Sequence, residues 1–141
     1  MIKLVLGPSG SGKTKWLIDQ ANDDKRNGNG NIVFIDTDDS HIFSLDYQVR
    51  LINANKYHIN TVNGFYGFLA GIISRDYDIE KIYVDGIYDI VNIELPELEV
   101  LTKDLRILSE EFGVEFYIGL NKEKSELSED LAKDVVELNI Q

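Results

Sequence analysis

The sequence predicts an α/β fold: a three-layer α/β/α sandwich around a mainly parallel, five-stranded sheet, in one domain over residues 1–141. Two observations predict this class. Short apolar runs alternate with longer segments whose apolar residues recur every three or four positions, which is the pattern of strands and their covering helices. The 43% of hydrophobic residues suffices for one core, and no repeat, low-complexity tract or linker divides the chain. Consecutive strand–helix units are expected to make right-handed crossovers.

Five apolar runs predict the strands. Each is short, and the first three end at a glycine or an aspartate, as expected of strands that lead into turns. The predicted strands are Ile2–Leu6, Ile32–Ile35, Lys81–Val84, Val114–Leu120 and Val135–Ile140. A further short strand, in which Tyr47, Val49 and Leu51 alternate with polar residues, is expected at a sheet edge.

Two helices are predicted in the first half of the chain. The first runs from about Lys13 to Lys25, where the Asn-Gly-Asn-Gly turn of residues 27–30 ends it. The second covers about Val62–Arg75, and Asn60 or Thr61 is suited to cap its first turn. The apolar side chains that these helices are expected to bury are Trp16, Leu17, Ala21, Phe65, Leu69, Ile72 and Ile73.

The third helix has the clearest pattern in the sequence. Pro96 suits its first turn and Gly113 its C-terminal stop. A short fourth helix is predicted near Ser128–Lys133. The third helix carries one apolar stripe, formed by Leu98, Leu101, Leu105, Leu108 and Phe112.

Composition and charge restrict the classes of partner. The formal net charge is −11, and no dense basic cluster is present, so nucleic-acid binding is not expected. The chain has no cysteine, which excludes disulfides and thiolate chemistry and fits a reducing cytoplasm. No apolar run approaches the roughly twenty residues of a membrane span, and the N-terminal run is too short for a signal peptide.

A glycine-rich segment between the first strand and the first helix is the most specific motif. Residues 7–14 fit G-x-x-x-x-G-K-[ST], the phosphate-binding loop, whose backbone N–H groups and helix N-terminus surround an anion. Lys13 is expected to reach the β- and γ-phosphates, and the Thr14 hydroxyl to ligate Mg²⁺. The residues expected to bind the nucleotide here are Gly7, Pro8, Ser9, Gly10, Ser11, Gly12, Lys13 and Thr14.

A second carboxylate is needed on the metal side of such a site. Asp36 and Asp85 both close apolar strands, and we favour Asp85 because its strand is reached after a second crossover. The alternative is that Asp85 only begins a turn with Gly86.

Together these segments resemble a RecA-type ATPase of the P-loop NTPase fold, over roughly the first 120 residues. The resemblance implies that Asp38, at the end of the Asp36-Thr37-Asp38 run, is the general base, that Asp85 is the metal-side carboxylate, and that Asn121 senses the γ-phosphate. It also implies ATP and Mg²⁺ as cofactors. Length and layout resemble small uncharacterised bacterial ATP-binding proteins sometimes likened to twitching-motility ATPases, although the basic surfaces of motility motors are missing.

The chain departs from the family pattern at two positions. Asp38 is shorter than the usual Glu, and Gly86 stands where many related ATPases have a catalytic Glu beside the metal-side Asp. Slow hydrolysis, or none, is therefore expected, and a solvated turn at residues 36–39 is the alternative interpretation. In RecA-type proteins a neighbouring subunit often completes the site, so a homo-oligomer or a protein partner is expected as a candidate.

Other candidate residues carry weaker signals. His41 and His58 have no ligand-like spacing and are interpreted as ordinary loop residues. The Asn121-Lys122-Glu123-Lys124 segment lacks the acid that reads guanine, because Lys124 offers only donors. Two interpretations remain for three arginines, a surface ion pair or an arginine finger: Arg50, Arg75 and Arg106. Two also remain for four tyrosines, packing in the core or its rim, or stacking on adenine: Tyr47, Tyr57, Tyr66 and Tyr77.

Three functions follow from these residues. The leading one is Mg²⁺-dependent ATP binding with slow hydrolysis. The second is a nucleotide-responsive regulatory module that does not hydrolyse ATP. A small-molecule kinase or a GTPase is less favoured, because no arginine-rich lid and no guanine-reading acid are present.

Overall fold

Six parallel strands form one open sheet in the computed structural model, which describes residues 1–8, 10–28 and 30–138. Their order across the sheet is β3-β2-β4-β5-β1-β6, and each neighbouring pair is parallel. The strands are Ile2–Leu6 (β1), Asn31–Asp36 (β2), Arg50–Asn53 (β3), Ile79–Val84 (β4), Glu115–Leu120 (β5) and Val135–Glu137 (β6).

The prediction of five strands is wrong by one. The segment expected at a sheet edge pairs with β2 as β3, from Arg50 to Asn53, while residues 47–49 form a turn that leads into it. At the other edge, β6 ends at Glu137, and the predicted continuation to Ile140 lies outside the described residues. Register between β2 and the edge strand starts at the pair Val33 and Arg50.

The helices are Lys13–Asn27 (α1), Val62–Arg75 (α2), Ile87–Ile90 (α3), Leu95–Phe112 (α4) and Glu129–Ala132 (α5), with 3₁₀ turns at Ala54–Tyr57 and Lys124–Glu126. Thr61, rather than Asn60, caps α2: its hydroxyl accepts from the Gly64 N–H at 2.9 Å. Helix α3 was not predicted, because four residues are too few to show a periodicity. None of the helices in the described ranges combines the length and apolar character that crossing a bilayer requires.

Helices cover both faces of the sheet. Because side chains alternate along a strand, Val5 and Phe34 pack with Leu17 of α1, whereas neighbouring strand residues pack with α2 and α4 on the opposite face. Leu69 of α2 is fully buried there. Three predicted core residues differ: Trp16 and Ile72 are only half-buried, and Phe112 at the end of α4 is 54% exposed.

The topology gathers the predicted functional residues at one edge. The carboxyl ends of parallel strands meet there, so the loop after β1 lies beside the residues that follow β2, β4 and β5. Strand β5 lies between β1 and β4. The glycine loop and Asp85 therefore face each other across the width of one strand.

Candidate functional site

A cleft of about 780 Å³ opens at this edge of the sheet. That volume falls within the usual range for small-molecule sites, roughly 300–1,000 Å³. Most of the residues predicted to form a site line it, namely Gly10, Gly12, Lys13, Thr14, Asp38, Asp85 and Asn121, together with Asp36 and His41. The fold thus brings together side chains that are more than 100 positions apart in the chain.

The loop before α1 depends on glycines at two of its turns. Gly10 and Gly12 have φ values of 80° and 94°, in the left-handed region that disfavours other residues. A Cβ on Gly7 would collide with Ser11 Oγ. Ser11 Oγ is buried and has no hydrogen-bond partner among the described residues, and Ser11 is not one of the residues that line the cleft. Ser9, the remaining loop residue of the motif, lies outside the described residues, and Pro8 is exposed.

Lys13 lies inside the curve of this loop. Its side chain is 8% exposed, and Nζ donates to the carbonyl oxygens of Gly7 at 2.5 Å and Pro8 at 2.9 Å. Burial lowers the pKa of the Lys13 ammonium, and the nearby Asp85 carboxylate partly opposes this. The ammonium is held by two neutral carbonyls, so a phosphate oxygen would be a stronger partner for it.

Thr14 and Asp85 join the loop to the end of β4. The Thr14 hydroxyl donates to Asp85 Oδ2 at 2.8 Å. Burial raises the pKa of the Asp85 carboxyl, and the neighbouring Asp36 raises it further, whereas the Thr14 hydrogen bond lowers it. A hydroxyl and a carboxylate side by side are oxygen ligands of the kind that Mg²⁺ prefers.

Asp36 and His41 form a contact that sequence reasoning missed. Asp36 is 4% exposed, accepts from the Thr37 N–H at 2.7 Å, and its Oδ2 lies 3.0 Å from His41 Nδ1. The interpretation of His41 as an ordinary loop residue is therefore incomplete, because its ring borders the cleft. Ligand atoms of Asp36, Asp38 and His41 lie within 4.8 Å of one another. The only sequence signal was a histidine shortly after a strand-ending aspartate.

Asp38 is placed in the cleft but in an exposed turn. Its carboxylate accepts from the Ser40 N–H at 2.9 Å, and hydrogen bonds from Ser40 hold the pKa of Asp38 below its usual value. Asn121 follows β5 and is exposed at the cleft's edge. Tyr88, which the sequence did not single out, also borders the cleft, and its hydroxyl is buried without a hydrogen-bond partner among the described residues.

The remaining candidates lie away from the cleft. Arg106 forms ion pairs with Asp130 at 2.9 Å and with Asp134, so both carboxylates already neutralise its guanidinium. Lys122 lies 3.7 Å from Glu126. Tyrosines 47, 57 and 77 are exposed and Tyr66 is half-buried, and His58 is exposed; these residues do not line the described cleft.

No protein-family model matches the sequence, and no curated protein matches it. The functional assignment accordingly rests on the residues of the cleft: one buried ammonium, one hydroxyl–carboxylate pair and a glycine loop with left-handed turns. Such a set is suited to a polyphosphate bound together with a divalent cation.

Proposed function

We propose that this chain is a RecA-type P-loop ATPase that binds MgATP in the cleft and hydrolyses it slowly. The observation that carries the proposal is the 2.8 Å hydrogen bond between Thr14 and Asp85. It joins the metal-binding position of the loop motif to the strand-ending carboxylate that the same chemistry requires. A surface turn rich in glycine would have no reason to make this contact.

The kinase and GTPase alternatives are less supported than an ATPase. The sequence shows no arginine-rich insertion that could form a lid over a second substrate. Lys124 stands where a guanine-reading acid would be needed.

Four polar residues that line the cleft have defined roles in this proposal. Lys13 exchanges its two carbonyl partners for β- and γ-phosphate oxygens, and the N-terminus of α1 faces the same anion. Thr14 and Asp85 hold Mg²⁺, directly or through water; when bound, the cation neutralises charge that builds up on the phosphates. Asn121, at the end of β5, is suited to donate to a γ-phosphate oxygen.

Slow turnover is expected because the site has one weak carboxylate base and no second one. Asp38 orients the attacking water, but its lowered pKa makes it a weak proton acceptor. Gly86 offers no carboxylate after Asp85. These same two observations favour a second candidate, a nucleotide-responsive module that binds MgATP without useful hydrolysis. Either protein would act in the cytoplasm, where MgATP is abundant.

Titration calorimetry with MgATP tests the binding site. We expect Lys13→Ala to lower the affinity at least about 100-fold, because it removes a charge-assisted contact and leaves phosphate unpaired. Lys103→Ala is the matched control, because it removes a lysine from an exposed position of α4. This variant should bind MgATP like the wild type. Equal affinity of the Lys13 variant, or no binding by the wild type, contradicts the proposal.

Phosphate release followed over hours separates the enzyme from the regulatory module. The wild type should complete many turnovers per site, and Asp38→Asn should keep MgATP binding but lose at least about tenfold in kcat. Unchanged turnover in this variant removes Asp38 from the mechanism. Release of less than one phosphate per site in the wild type leaves only the regulatory module.

A further inference from the structure

The contact between Asp36 and His41, which we name the dyad, has a chemistry that the binding of MgATP does not use. Asp36 is buried at the end of β2, whereas the His41 side chain is 35% exposed and borders the cleft. A buried carboxylate costs stability unless it is paired or hydrogen-bonded. The partners of Asp36 in the described part of the chain are the Thr37 N–H at 2.7 Å and the imidazole at 3.0 Å. The carboxylate therefore orients the ring.

The two oxygens of Asp36 determine which ring nitrogen carries the proton. Oδ1 accepts from the Thr37 N–H, and Oδ2 lies 3.0 Å from Nδ1 of His41. An ionised carboxylate only accepts hydrogen bonds, so Nδ1 must be the donor. In the neutral ring the other nitrogen, Nε2, then has a free lone pair. Among the described residues both hydrogen bonds of the ring, to Asp36 and Ser40, involve Nδ1, so Nε2 is left as a proton acceptor.

The backbone of the loop after β2 holds this ring in place. The His41 carbonyl accepts from the N–H groups of Ser44 at 2.9 Å and Leu45 at 3.2 Å. Leu45 is buried in the core on the α1 face of the sheet, and the Asn22 side chain donates to the Ser44 carbonyl at 3.0 Å. A catalytic group that is fixed before the reaction needs little reorganisation during it.

The dyad lies on the opposite side of Asp85 from the glycine loop in the order of the strands. Strand β2 pairs with β4, and the Asp85 N–H donates to the Ile35 carbonyl at 2.9 Å, so Asp36 and Asp85 follow adjacent strand ends. Strand β5 separates β4 from β1 and its loop. A γ-phosphate held by the loop and by a cation on Thr14 and Asp85 would therefore turn its free face toward His41.

We propose that His41 is the general base of ATP hydrolysis in this cleft and that Asp36 is its positioning residue. This inference rests on the proposed binding and hydrolysis of MgATP. The oxygen of a water molecule attacks the γ-phosphorus while Nε2 of His41 accepts one of the water's protons. The bond from the γ-phosphorus to the bridging oxygen breaks, and its electron pair leaves with ADP. The imidazolium, stabilised by the Asp36 carboxylate, then releases the proton to solvent.

This division of roles agrees with the weak basicity of Asp38. Hydrogen bonds from Ser40 lower the pKa of Asp38, so its carboxylate takes up a proton poorly but still accepts a hydrogen bond from a water. Ligand atoms of Asp36, Asp38 and His41 lie within 4.8 Å of one another, so one water can contact both Asp38 and the ring. The alternative occupant of that space is a cation bound by all three residues.

Phosphate release and titration calorimetry on the same variants test the role of His41. His41→Ala should keep its MgATP affinity within about twofold, because the ring does not hold the phosphates, and should lose roughly 100-fold in kcat. Added imidazole should restore part of the lost rate, because a free base can enter the space that the ring leaves. His58→Ala is the matched control: this histidine is exposed, does not line the cleft, and its removal should leave kcat unchanged.

A double-mutant cycle separates a positioning role of Asp36 from a structural one. Asp36→Asn should place its amide oxygen on the Thr37 N–H and its NH₂ group against Nδ1 of His41, so that the ring proton moves to Nε2 and the base is lost. We expect kcat to fall at least about tenfold, but less than about twofold when His41 is already alanine. Equal losses in both backgrounds would mean that Asp36 acts through folding, which overturns its positioning role.

The outcomes distinguish this inference from the proposed function. A wild type that hydrolyses ATP beside an equally active His41→Ala variant overturns the dyad alone, as does a variant that loses MgATP affinity instead of kcat. A wild type that binds no MgATP, or releases less than one phosphate per site, overturns hydrolysis and the dyad together. After treatment with a chelator and return of Mg²⁺ alone, wild-type turnover should be unchanged. A requirement for added Zn²⁺ or Mn²⁺ would identify the three residues as a metal site instead.

Discussion

At the scale of single residues, Asp85 is held in a destabilising position. Burial and the nearby Asp36 raise its folded-state pKa above the ordinary aspartate value. The folded chain therefore binds its proton more tightly than the unfolded chain does. It follows that this group lowers stability as pH rises above the unfolded pKa and through the folded one.

Replacement of this carboxyl by an amide should stabilise the free protein. Asp85→Asn is expected to raise Tm by about 2–4 °C near pH 7, where about 1 kcal/mol corresponds to such a shift. The difference should shrink below about pH 4, because the wild-type group is then neutral too. Thermal melts at both pH values measure it, with the exposed Glu111→Gln as control. The same variant should lose Mg²⁺-dependent ATP binding, and a lower Tm near pH 7 would contradict the burial argument.

At the scale of elements, two glycines differ in whether the backbone conformation requires glycine. Gly113 ends α4 with φ of 69°, a conformation that costs other residues roughly 1–2 kcal/mol. Gly67 lies within α2, where an added Cβ meets nothing within 4 Å. The first glycine is required by the backbone, and the second is not.

A matched pair of substitutions follows from this difference. Gly113→Ala should lower the free energy of unfolding by about 1 kcal/mol or more, whereas Gly67→Ala should raise it by about 0.4–1 kcal/mol by restricting the unfolded chain. Urea titrations of both variants measure the two changes. A change of the same sign in both variants would contradict the different backbone requirements assigned to the two glycines.

The sequence predicted elements best where their signals are local and repeated. The bounds of α2 agree with the prediction, and the stripe of α4 predicted Leu98 and Leu105 in the core. Strand β3 begins three residues later than expected, because an edge strand has only one neighbour and its alternation also fits a turn. Non-local pairings were the part that sequence could not show.

In the candidate site, the same distinction holds. The loop motif predicted Lys13 and Thr14, and the strand end predicted Asp85, because each is defined by its neighbours in the chain. The contact of Asp36 with His41 depends on how the loop after β2 folds back, so no sequence pattern predicted it. The turn that lowers the pKa of Asp38 is local, and its Asp-x-Ser spacing was readable.

At the scale of the whole molecule, a net charge of −11 acts on stability. Like charges repel in the compact state and less so in the expanded one. Raising NaCl from about 20 mM to about 500 mM, where screening extends over only a few ångströms, should therefore shift the urea midpoint upward. A midpoint that falls with NaCl would mean that ion pairs such as Lys81 with Asp24 outweigh the repulsion.

The interior position of β1 sets when the molecule can be completed during its synthesis. Ile2 pairs with Phe116 and Leu4 with Val135, so β1 waits for partners that the ribosome makes more than 100 residues later. The Gly7 N–H donates to the Leu120 carbonyl, which ties the glycine loop to the same late event. A nascent chain halted before residue 115 therefore carries an unpaired apolar strand, a substrate for chaperones and proteases, and no formed loop.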